Sequence, residues 1–174
     1  MTQPEAIKAA IESATGYLSQ NPDEAVSTDS LATATLVDGL RFEVSDPDGR
    51  TVMTDMVTGV GGQDTAPSPG WLMRAAVASC DATLIAMHAA KEGIRLTRLE
   101  VSVDSTSNDL GILGIDPAVP SGPSDMRARV VIASPDADEA RLQALVADAV
   151  DHCPVCDAVK RPVPITLEIE VSAP

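Results

Sequence analysis

The chain has 174 residues, enough for one ordinary domain with a hydrophobic core. A formal net charge of −14 argues against nucleic acid or an anionic membrane as partner, since both select for Lys and Arg. With aromatic residues at 2%, the core must come from Val, Ile, Leu, Ala and Met, and the small area each buries makes oligomerisation a natural supplement.

The opening MTQPEAIKAA lacks the pattern of a leader, and no later run reaches bilayer-spanning length, which points to the cytoplasm. In a reducing compartment three cysteines are poor material for a disulfide framework. Catalysis, metal binding and inert packing remain open.

Residues 1–28 read as an N-terminal helical extension whose stripe of Ile7, Ile11, Ala14 and Leu18 docks on the main domain, residues 29–174. From Leu31 to Met56 the chain turns extended, with turn signals at Asp38-Gly39 and Asp48-Gly49, and predicts an antiparallel meander. Gly59, Gly61 and Gly62 then belong to a loop, too irregular for a phosphate cradle. Ser68 as N-cap, Pro69 at the first position and Gly93 at the end bound a helix of roughly six turns. Leu72, Met73, Ala75, Val77, Leu84, Ile85 and Met87 leave it no broad polar face, so it reads as buried, with Arg74, Asp81 and His88 as one thin stripe toward water or a partner. Cys80 lies off that stripe on apolar ground, where desolvation raises a thiol pKa.

Alternation at Leu99, Val101 and Val103 predicts a strand, and Met126, Ala128, Val130 and Ile132 its partner across a Gly- and Pro-rich loop, residues 108–125. Leu142, Leu145, Val146 and Ala149 mark another helix, and Ile165, Leu167, Ile169 and Val171 a final strand with one buried face. The order is α+β with no internal repeat.

Between those last elements stand His152, Cys153, Pro154 and Cys156. If Pro154 opens a helical turn, Cys153 sits where the helix dipole favours thiolate, and the adjacent His152 adds to it. The C-x-x-C reads as a dithiol pair, as half of a zinc site, or as coincidence; no second C-x-x-C completes a zinc set, and no metal or cofactor is expected.

The segments PGWLMRAAVASCDATL and DHCPVCDAVKRPVPITLEIEV, in that order, resemble the OsmC/Ohr family, the osmotically inducible and organic hydroperoxide resistance proteins, over residues 31–172. The resemblance implies an OsmC-like fold, antiparallel sheets wrapped around the long central helix, in an intertwined homodimer with two interface sites. It implies a thiol peroxidase acting on organic hydroperoxides and recycled by an external dithiol, with Cys80 the peroxidatic and Cys153 the resolving thiol. The family's thiolate-supporting arginine falls at Leu40, next to Arg41, which is the candidate here; its orienting glutamate falls at Gly70. Asp64 and Asp81 are the possible substitutes for that glutamate. Cys156, where serine is common, is a possible auxiliary thiol. The alternative is a member that keeps the fold but only binds a small hydrophobic ligand in the apolar cavity.

Overall fold

The computed structural model describes residues 2–172. An N-terminal helix α1 (Gln3–Gln20) leads into a meander of β1 (Thr33–Asp38), β2 (Arg41–Ser45) and β3 (Thr51–Thr54). The central helix α2 (Pro69–Glu92) is followed by β4 (Arg98–Thr106), a short α3 (Asp109–Ile112), β5 (Asp125–Ala133), α4 (Glu139–Asp151) and α5 (Pro154–Lys160). The strands form two antiparallel sheets, β1-β2-β3 and β4-β5. Among the described residues no helix is long and apolar enough to cross a membrane.

The ends of α2 are those its sequence specifies. Ser68 Oγ accepts from the Trp71 N–H at 3.2 Å, and Gly93 closes the helix at φ 73°, a left-handed conformation that a side chain resists. One face of α2 packs on β4 and α4. There Ile85 and Ala89 meet Leu142, Leu145, Ala149 and Ile94, supported by Leu99, Val101, Val130 and Ile132 from the hairpin. The opposite side is open: Trp71, Met73, Ala76, Ser79 and Thr83 are exposed, so the expectation of burial all round does not hold for the single chain. The helix α1 lies against α2 with Ile7 and Ile11 half-buried and none of its residues fully buried.

The expected final strand is also corrected. Residues 161–172 form no strand, and Ile165, Leu167, Ile169 and Val171 are 92%, 79%, 78% and 88% exposed. A strand requires a neighbour to satisfy its backbone, and this segment has none within the described residues.

The loop between β3 and α2 is held by one buried carboxylate. Asp55, 1% exposed, accepts from the Met56 N–H at 2.7 Å, the Thr65 N–H at 3.0 Å and the Thr65 hydroxyl at 2.8 Å. Gly62 lies so close beneath the Met56 carbonyl that a Cβ would overlap it. Donors aimed at the ionised form hold the Asp55 pKa down, from the ordinary 3.8 to about 2.

Two outcomes follow from this packing. Leu145→Ala, at a side chain 1% exposed, is expected to cost about 2–5 kcal/mol in chemical denaturation; a loss near zero would show that the α2–α4 contact is not the core. A depressed folded-state pKa contributes stability that is complete above the unfolded value and lost as pH falls through the folded one. The stability gap between the parent and Asp55→Asn should therefore be full at neutral pH and close between pH 3.8 and about 2, and a gap independent of pH in that window would contradict the clamp.

Candidate functional site

Cys80 and Asp81 are neighbours in the middle of α2, so their side chains diverge by about 100° around its axis. Cys80 is half-buried, on the side that carries exposed Ala76, Ser79 and Thr83. Asp81 is 0% exposed and turns inward, as does Val77 one turn earlier. The expected polar stripe is thereby broken up. Arg74 donates to Ser105 Oγ at 3.2 Å, His88 Nδ1 stands 3.0 Å from Asp148 Oδ2, and Asp81 faces neither water nor a cation.

What Asp81 faces is α5. Pro154 does open a helix, with Cys153 as its N-cap, and this places Cys156 on the third helical position. The Cys156 thiol donates to Asp81 Oδ1 at 3.3 Å, while its backbone N–H donates to Cys153 Sγ at 3.4 Å. Asp81 Oδ2 is buried with no hydrogen-bond partner. A carboxylate oxygen, Cys153 Sγ and Cys156 Sγ all lie within 4.8 Å of one another, and the Cys80 side chain is near enough to bear on the Cys153 thiol. Asp81 of α2 thus joins the two cysteines of the C-x-x-C with Cys80 beside them, and all three cysteines are free thiols.

The electrostatics depart from the helix-dipole expectation for Cys153. Burial, at 1% exposure, pushes its pKa far up; the neighbouring Asp81, Cys80 and Cys156 side chains add to the rise, and only the Cys156 N–H opposes them. Burial likewise raises the Cys156 thiol, with Asp81 adding to the effect and Lys160 working against it. His152 takes no part. Its Nδ1 donates to the Asp148 carbonyl at 2.7 Å, and its ring faces that of His88 at 5.6 Å.

A cavity of about 430 Å³ reaches this group from the hairpin side, lined in part by Val77, Asp81, Val103, Met126, Cys156 and Val159. Cys156 borders it and Cys80 does not. Two residue groups have the spacing of metal donors, Asp81 with Cys153 and Cys156, and His88 with Asp148 and His152. In the first, a bound metal and a disulfide would exclude one another.

Arg41 stands apart from the cysteines. The pairing of β1 with β2 shifts between Leu36 and Asp38, so an irregularity does lie beside the turn that aims Arg41. Its side chain is half-buried, and its Nε has no hydrogen-bond partner among the described residues. Of the two acids considered as its partner, Asp81 is engaged with Cys156, and Asp64 occupies a left-handed turn position at φ 55°. At Gly70 a Cβ would meet only Arg74 Nη1 and Ser68 Oγ, both at 3.9 Å.

Sequence reasoning missed the role of Asp81. Its one available signal was a charge in a helix otherwise read as apolar, and heptad spacing assigned that charge to the wrong side.

Comparison with known proteins follows the same lines. Among solved structures, OsmC of Legionella pneumophila, described as an organic hydroperoxide resistance protein and predicted redox protein, is 21% identical, with 78% of this chain and 91% of that one covered at a TM-score of 0.57. An OsmC-like protein of Mycoplasma pneumoniae is 14% identical over 78% and 89% of the two chains, at 0.65. The organic hydroperoxide resistance protein OhrB of Bacillus subtilis is 21% identical over 82% and 98%, at 0.52. Curated proteins gave no match. The family described as OsmC-like protein matches residues 62–168, which include α2 and the whole C-x-x-C segment, and with the shared fold this makes the chain a member of the OsmC-like protein family.

Proposed function

We propose that this protein is a cytoplasmic, cysteine-based thiol peroxidase that reduces organic hydroperoxides. The observation that carries the reading is the approach of Cys80, half-open on one side of α2, to a fully buried Cys153 on whose thiol it bears. The Cys80 thiolate attacks the outer oxygen of the hydroperoxide, the O–O bond breaks, and the alkoxide takes a proton and leaves as alcohol. Cys80 is then a sulfenic acid. The Cys153 thiol attacks its sulfur, water departs, and a Cys80–Cys153 disulfide remains for an external dithiol to reduce. The names of the Legionella and Bacillus proteins point the same way.

The working unit in this reading is an intertwined homodimer. Two features support it: the exposed side of α2 around Cys80, and the segment 162–172, whose alternating apolar side chains are left to solvent. A second copy supplies both the missing strand neighbour and cover for the cysteine side. Arg41 remains the candidate for the cation that offsets desolvation of the Cys80 thiolate, since its buried Nε lacks a partner within the chain.

A second reading has one observation in its favour. Gly70 leaves the orienting carboxylate out, which suits a protein that holds a small hydrophobic ligand in the apolar cavity without turning it over.

Consumption of cumene hydroperoxide in the presence of dithiothreitol separates the two. The parent should turn over many equivalents, Cys80→Ser should fall to the buffer rate, and Arg41→Ala should slow the first step about tenfold, the effect of one unit of thiol pKa. Undiminished consumption by Cys80→Ser would reject the peroxidase reading, as would an inert parent that carries a bound apolar molecule. For the assembly, sedimentation should give a dimer that Ile165→Glu with Ile169→Glu dissociates; a parent that sediments as a monomer would exclude it.

A further inference from the structure

We infer that Cys156 is the thiol through which the oxidised protein is re-reduced, and that Asp81 is its proton acceptor. The inference deepens the peroxidase reading and rests on it for the source of oxidant. A thiol can reduce a disulfide only by reaching one of its sulfurs in line with the S–S bond. Cys153 is 1% exposed and enclosed by α2 and α5, so an external reductant has no path to it. Cys80 opens toward the side of α2 that a second copy would cover. Cys156 is different. It borders the cavity of about 430 Å³ on the far side of α2, large enough for a small thiol or the end of a dithiol arm.

The internal step balances without any outside reagent. The Cys156 thiol, 3.3 Å from Asp81 Oδ1, gives its proton to that carboxylate and attacks Cys153 Sγ of the Cys80–Cys153 disulfide. The bond between Cys153 and Cys156 forms as the bond to Cys80 breaks, and Cys80 leaves as thiolate, the form that attacks peroxide. The proton stays on Asp81, so total charge and oxidation state are unchanged. An external dithiol then attacks Cys156 from the cavity, becomes a disulfide itself, and leaves both thiols of the C-x-x-C reduced. This gives the buried Asp81 a use. Its Oδ2 has no partner and no cation faces it, a costly arrangement for a carboxylate kept only for packing. The other charged groups at the cavity are Lys160 on α5 and Asp125 on β5, and neither is hydrogen-bonded to the Cys156 thiol.

The experiment makes the first disulfide without peroxide, so its failure is distinct from failure of the peroxidase reading. The reduced protein is oxidised with one equivalent of diamide, quenched with an alkylating reagent at increasing times, and its disulfides mapped by peptide mass spectrometry. The expected end state is Cys153–Cys156 with Cys80 alkylated, whereas Cys156→Ser should stop at Cys80–Cys153. Asp81→Asn should reach the parent's end state about a hundredfold more slowly, with a steeper dependence on rising pH because solvent hydroxide must replace the lost base. A stable Cys80–Cys153 bond with free Cys156 in the parent would overturn the inference. So would an Asp81→Asn protein that exchanges at the parental rate and pH dependence while its circular dichroism matches the parent.

Discussion

The packing of α2 against α4 and α5 is the constraint on which the rest of the structure depends. It is an ordinary apolar contact, with Ile85 and Ala89 against Leu145 and Ala149, but it fixes what α5 presents to α2 one turn further along. Because Cys153 caps the start of α5, a buried thiol is set beside Cys80, and the first turn of the helix carries Cys156 onto Asp81. The core therefore sets the distances between sulfurs, and no cross-link is needed to hold them.

The same burial sets the chemical cost. Cys153 and Cys156 are both harder to ionise here, Cys153 most of all. A group in that condition is a poor first nucleophile and a good trap, because it reacts only with a sulfur already activated beside it. The division of labour follows from exposure alone. In the proposed cycle the half-open Cys80 is the thiol for the oxidant, the enclosed Cys153 the one that closes the bond, and Cys156 the one that faces the cavity. In this chain the two more open thiols face different sides of α2, which in the proposed cycle separates oxidant from reductant.

Much of this could be read in the sequence, for identifiable reasons. Ser68, Pro69 and Gly93 bounded α2 because capping is local chemistry, and Pro154 started α5 for the same reason. The meander and the β4-β5 hairpin followed from alternation and turn residues. What failed depended on partners beyond local reach. The alternation of Ile165 to Val171 is a strand pattern that forms no strand, with no neighbour beside it among the described residues. The direction of Asp81 was lost because a heptad stripe says which residues share a side but not whether that side meets water or a buried thiol. Arg41 shows a third limit: the irregularity beside its turn is present, yet its Nε has no hydrogen-bond partner among the described residues.

The most direct measurement is a count of free thiols in denatured protein before and after one equivalent of an organic hydroperoxide. Since a disulfide consumes two thiols, the account requires the count to fall from three to one, with the remaining thiol still reactive. A count that stays at three, or that stops at two with Cys80 carried on to its higher acids, would mean that these sulfurs do not act as one unit.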